Sequence, residues 1–220
     1  MSRRHALLLP AALLAGAAAV LLPAPLPGVA GERVTYRIAV GPFSKKPIAG
    51  PASPLSRHAL RGLGVTVEYL EPPARAAFVA GLDGGDDPFA VPEGRPELYH
   101  AFRVGFENGS EEAVRFQPGN VLLVFDDGRH QQFPVDLTDL YRTAARAGDG
   151  ADPEAMMARA ARLIFDSSTT IARGGQTERL LVFGPLPAKW KEMRVHFSFL
   201  QIGTETHTVS FLFHRHPVKG

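Results

Sequence analysis

The chain has 220 residues, 24 Lys+Arg against 22 Asp+Glu, 45% hydrophobic residues and no cysteine. Without cysteine there can be no disulfide, thiolate metal site, cysteine nucleophile or lipoprotein anchor, so the fold must stand on its apolar core. Arg3 and Arg4 are the only charged residues among the first 30, which leaves 22 bases and 22 acids in residues 31–220. That balance gives no basic surface to drive binding to nucleic acid or to an anionic membrane, despite a whole-chain pI of 9.1.

Residues 1–30 read as a secretory signal peptide. Arg3 and Arg4 precede an apolar run from Ala6 to Leu22, and small residues then place Gly28 and Ala30 ahead of a cut before Gly31. The run is nearly long enough to span a bilayer, so an uncleaved segment would anchor the chain at its N-terminus. Pro10, Pro23, Pro25 and Pro27 argue for cleavage. "SRRHAL" also resembles a twin-arginine signal, but Ala6 stands where a bulky apolar residue is expected. The expected location is therefore periplasmic or extracellular, with no membrane span left in the mature chain.

Strand and turn signals follow. "ERVTYRIAV" alternates Val34, Tyr36, Ile38 and Val40 on one face, and the Pro/Gly/Ser-rich residues 41–64 read as a long loop. "VTVEYL" resumes the alternation, and "PPARAAFVAGL" predicts a short helix opened by prolines and broken at "DGGDDPF". From Leu98, Phe102, Val104 and Phe106 share one face, and Asn108-Gly109-Ser110 makes a turn that also fits a glycosylation sequon. "AVRF" follows, and then "NVLLVFDDGRHQQFPV" predicts a hairpin, with Asp127-Gly128 as a tight two-residue connection. Residues 31–97 thus read as N-terminal strands with Pro/Gly-rich loops in the same domain as a sandwich core over 98–220.

Residues 136–166 read as a helical insertion. Asp152 caps and Pro153 opens its second helix, in which Met156, Ala160, Leu163 and Ile164 form an apolar stripe opposite Arg159 and Arg162. Met156 and Met157 read as packing residues. "STTIAR", a Gly174-Gly175 turn and "TERLLVF" return to strand. In the last hairpin Val195, Phe197 and Phe199 form one apolar face, and a three-residue loop over Ile202–Thr204 pairs Phe197 with Val209 and Val195 with Phe211. Eight or nine strands in all predict an all-β, antiparallel immunoglobulin-like β-sandwich. The tetrapeptide LLVF occurs twice, at Leu122–Phe125 and Leu180–Phe183. Four apolar residues in a row break the inside/outside alternation, so both segments should be covered on both faces. The helix Met156–Ile164, or the segment around Phe78 and Phe89, is the expected cover for at least one of them.

"FRVGFENGSEEAVRFQPGNVLLVFDDG" followed by "IARGGQTERLLVFGPLP" resembles bacterial exported domains with a telokin-like immunoglobulin fold, over roughly residues 98–214. The resemblance implies a fold and no specific activity. Candidate chemistry is sparse. His196, His214 and His216 share the outward parity of the last two strands and are the candidate Zn²⁺ or Cu²⁺ ligands, although three or four must converge on one point. Asp83, Asp86 and Asp87 lie near glycines but lack the regular spacing of a Ca²⁺ loop. Ser167 and Ser168 carry neither a nucleophile elbow nor an S-x-x-K signature, and Glu107, Glu111 and Glu112 read as solvated turn charge. Trp190 is the candidate partner-binding residue, set against a packing role. The expectation is an exported, non-catalytic module without a cofactor that binds another envelope or extracellular protein, or an envelope component. A periplasmic metal- or small-ligand-binding protein is the second reading and a hydrolase the third.

Overall fold

The computed structural model describes residues 35–40, 54–92, 94–126, 128–147 and 152–218. Residues 1–30, read as a signal peptide, residues 41–53 of the expected long loop, and Asp127 lie outside the described residues. The described residues all belong to one compact unit. Eleven strands and three α-helices are described, where eight or nine strands were expected. In chain order they are β1 (Thr35–Ala39), β2 (Leu55–Leu60), β3 (Leu63–Leu70), α1 (Pro72–Asp83), β4 (His100–Asn108), β5 (Val114–Phe116), β6 (Val121–Phe125) and β7 (His130–Gln132). Then come α2 (Leu137–Ala147), α3 (Pro153–Leu163), β8 (Thr169–Ile171), β9 (Gln176–Phe183), β10 (Glu192–Ile202) and β11 (Glu205–Val218). Among the described residues, no helix is long and apolar enough to cross a membrane.

The strands form two sheets in which every ladder is antiparallel. The larger runs β1-β11-β10-β5-β8, with β6 also on β10 and β7 on β6; the smaller runs β2-β3-β4-β9. Their inner faces share one core. Leu63, Val65, Val67, Phe102, Val104, Phe106, Leu181 and Phe183 come from the smaller sheet, and Val114, Phe116, Leu123, Phe125, Val195, Phe197, Phe211 and Phe213 from the larger. A second cluster covers the outer face of the smaller sheet. There Val79 of α1, Leu140 of α2, Ala160 and Leu163 of α3, together with Phe89, pack on Leu70, Ala101, Leu180 and Val182.

Local chemistry explains the elements. Prolines open α1, and Gly84 ends it in the left-handed conformation that a Cβ disfavours (φ 71°). The Asp152 carboxylate accepts from the Glu154 amide at 3.0 Å, opening α3 as its sequence requires. Part of the expected loop over 41–64 is instead strand. Leu55–Leu60 pairs with Leu63–Glu68 around a two-residue turn, with Arg61 and Gly62 both at positive φ (49° and 82°). The strand β2 escapes the pattern because it is a sheet edge with no buried residue, so no apolar alternation marks it.

Two further turns differ from expectation. Phe125 pairs with His130, so the β6–β7 connection spans residues 126–129 rather than two residues. The Asp126 carboxylate accepts from the amides of Lys191 and Glu192 at 2.9 Å, tying this loop to the start of β10. In the last hairpin the pairs Phe197–Val209 and Val195–Phe211 do form, but the connection is the two-residue turn Gly203-Thr204. The additional residue sits in a β-bulge between Phe197 and Leu200. That bulge turns Leu200 into the core and Phe199 outward, where it is 60% exposed, so Phe199 does not join the apolar face of Val195 and Phe197.

Candidate functional site

The candidate site grows out of a buried cation. Arg75 points from α1 into the protein and is 1% exposed. Its Nε donates to the Asp87 carboxylate at 2.7 Å, Nη1 to the Tyr99 carbonyl at 2.7 Å and Nη2 to the Phe89 carbonyl at 3.0 Å. Nη2 also lies 2.7 Å from Glu97 Oε1. A guanidinium removed from water needs this density of partners, and here they tie Asp87, Phe89, Glu97 and Tyr99 to α1.

Glu97 carries the arrangement to a half-open cavity of about 340 Å³, lined also by Tyr36, Ile38, His100, Trp190 and Arg215. The strand β1 supplies Tyr36 because Ile38 pairs with Arg215 at the sheet edge, which brings Tyr36 beside the end of β11. The Arg215 guanidinium stands 3.9 Å from the centre of the Tyr36 ring and 6.0 Å from that of Trp190. Its Nη1 donates to the Ala188 carbonyl at 2.9 Å, and it has no carboxylate partner among the described residues. Trp190 is 7% exposed and meets Phe125 edge-on at 5.9 Å, so it is both core packing and cavity wall. At the back, the Tyr69 hydroxyl lies 3.0 Å from His100 Nδ1. Burial, and secondarily the Arg75 charge, pushes His100 down to about 4, while burial holds the Tyr69 phenol above its ordinary value. Both are therefore neutral near pH 7. The cavity thus offers two aromatic walls, one uncompensated guanidinium and one carboxylate engaged from behind.

The structure brings together only part of the histidine set. His214 and His216 are 5% and 2% exposed, with ring centres 6.1 Å apart, and His214 Nε2 lies 3.5 Å from Glu192 Oε2. Burial, then the neighbouring His214, lowers the pKa of His216. His196 pairs with Ser210, four ladder positions from the Glu192–His214 pair, and its Nδ1 is 2.8 Å from the Ser210 hydroxyl. Among the described residues, no group of three or more His, Asp or Glu side chains is placed to hold a metal ion.

The other candidates have structural employment. Asp83 pairs with Arg159 and Arg162 at 3.4 and 3.0 Å, and the Arg162 hydrogen bond is the leading cause holding its carboxyl below the usual range. Asp87 serves Arg75, and the backbone of Asp86 accepts from Arg159. Asp166 accepts from the Leu137 amide at 3.0 Å, across the start of α2. Asn108 is 1% exposed, and its amide donates to the Glu112, Ile171 and Ala172 carbonyls at 2.9–3.1 Å. Its side-chain oxygen accepts from the amide and hydroxyl of Ser110. A fully engaged, buried amide cannot carry a glycan in the folded chain.

Sequence reasoning singled out Trp190 but none of Tyr36, Arg75, Glu97, His100 or Arg215. The one local signal was Arg75 itself, a cation four residues from Val79 on the face that α1 buries, followed by an acidic loop. No protein-family model, no curated protein and no solved structure matches this chain.

Proposed function

We propose that this chain is an exported, non-catalytic, immunoglobulin-like β-sandwich module with a helical insertion, whose Trp190 cavity binds a carboxylate-bearing segment of another envelope or extracellular protein. The basic and then apolar sequence of residues 1–30, read as a secretory signal peptide, supports the location. Two antiparallel sheets over a shared core, with α2 and α3 between β7 and β8, support the immunoglobulin-like reading. The observation that carries the binding role is Arg215, which has no carboxylate partner among the described residues and is held against Tyr36 and near Trp190 at a half-open cavity. A planar guanidinium on an aromatic face keeps its remaining donors in a fixed plane, the geometry that meets a carboxylate in two parallel hydrogen bonds. Aromatic walls and an arginine are also the residue types in which interface energy concentrates.

Trp190 is the only tryptophan, so its emission reports on the cavity directly. Tetrapeptides ending in a free carboxylate should shift that emission saturably, and the same peptides amidated should not. Arg215→Gln should abolish the shift while leaving the unfolding midpoint within the range of a surface substitution. Equal responses to acid and amide, or to wild type and Arg215→Gln, would refute the proposal.

A further inference from the structure

A second, separate site lies on the outer face of the larger sheet, and we infer that it binds an anionic oligosaccharide. The ladder aligns four polar side chains in one row across four strands: Thr206 opposite Gln201, Gln201 opposite Arg115, and Arg115 opposite Thr170. At about 4.8 Å between strands the row runs about 14 Å, a length suited to an oligomer rather than to one small molecule. It floors a groove of about 500 Å³ that Gln117, Asn120, Ser168 and Phe199 complete. The groove exists because β10 changes partner along one edge. Residues Met193–Phe197 pair with β6 and Gln201–Ile202 with β5, and the turn Pro118–Asn120 joins those two strands across the break. The bulge falls at that same break and is what sets the Phe199 ring out over the groove.

The lining defines the ligand. Arg115 is exposed and makes no ion pair or side-chain hydrogen bond with a described residue, and among the described residues no carboxylate lines the groove. The hydroxyls of Ser168, Thr170 and Thr206 are likewise uncommitted among the described residues. Asn120 donates to Gln117 Oε1 at 3.1 Å and Gln201 donates to the Gly203 carbonyl at 2.8 Å, which orients these amides and leaves their other polar atoms for a ligand. Paired donors and acceptors in a row match a chain of hydroxyls. One exposed aromatic face, negative at its centre, suits the C–H face of a sugar ring. One uncompensated guanidinium suits one carboxylate. A nucleic acid would need several cations, and a protein interface would need an apolar centre much wider than one phenylalanine. A sugar acid polymer satisfies all three features.

Electrophoresis of the full chain through gels containing polygalacturonate, alginate or dextran tests this. Retardation should be strong in the two acidic gels and weak in dextran. Phe199→Ala and Arg115→Gln, both exposed positions that leave the core intact, should each weaken it about tenfold. Arg215→Gln should leave it unchanged, which keeps the result independent of the Trp190 cavity. Polyglutamate should not compete, because it offers charge without sugar. Absence of retardation in both acidic gels, equal retardation in dextran, full competition by polyglutamate, or indifference to Phe199→Ala would each overturn the inference.

Discussion

The same four residues, LLVF, occupy two strands with different surroundings. In β9, Leu180, Leu181, Val182 and Phe183 are all buried, with none more than 1% exposed. Leu181 and Phe183 face the core between the sheets, while Leu180 and Val182 face the cluster built by α1, α2 and α3. In β6, Leu123 and Phe125 face the inner core, but Leu122 and Val124 are only half-buried. Their ladder neighbours on β10 are His196 and Arg194. A continuous apolar run therefore specifies a strand with one committed face. The second face is decided by where the helices land, and among the described residues their buried side chains cluster with the smaller sheet. The expectation that both segments lie at the centre of the core holds for β9 and fails for the outer face of β6.

The largest effect should come from loosening the helical cover at Arg75. Arg75→Met leaves Asp87 buried without its cation and removes donors from two backbone carbonyls, at a cost of about 4 kcal/mol. Urea unfolding should show it as a lowered midpoint, and Asp87→Asn in the same chain should recover part of the loss. A change of less than about 1 kcal/mol would mean that α1 is held by packing alone.

The comparison itself is tested next. Leu180→Ala removes a side chain packed on both sides and should cost about 3 kcal/mol, whereas Leu122→Ala, half in water, should cost about 1 kcal/mol. Equal losses would show that something covers the outer face of β6 in solution and would erase the distinction drawn between the two strands.

Periodicity made the inner faces legible, because one buried face per strand writes itself as alternation. It also made the β10–β11 register legible, since only one pairing puts both apolar sets inside. The bulge was hidden for the same reason. Val195, Phe197 and Phe199 alternate without interruption, and nothing local says that Leu200, not Phe199, turns inward. The edge strand β2 has no buried face and so left no pattern. Trp190 stood out by its type, but Tyr36 lies 154 positions before it, and its meeting with Arg215 depends on β1 closing the sheet edge beside β11. The distance from His196 to the other two histidines was readable from the register, and the burial of His214 and His216 was not.

A further prediction concerns pH and again singles out β9, because His100 is the ladder partner of Phe183. Folding lowers its pKa from 6.5 to about 4, chiefly through burial and secondarily through the Arg75 charge. Between those values the unfolded chain binds a proton that the folded chain refuses, so stability falls as pH falls. Above 6.5 the folded and unfolded chains both hold the ring neutral, and the full stability is present. It declines through the interval and levels once both states are protonated below about 4. The loss attributable to His100 should be about 2 kcal/mol once solvent screening at the cavity is allowed for. The lowered pKa of His216 adds to the slope with the same sign. His100→Gln keeps an acceptor for the Tyr69 hydroxyl and removes the titration, so it should flatten the pH dependence of the urea midpoint without abolishing it. A slope unchanged by His100→Gln would mean that the ring gains access to water in solution, and that the cavity behind Trp190 is wetter than its burial implies.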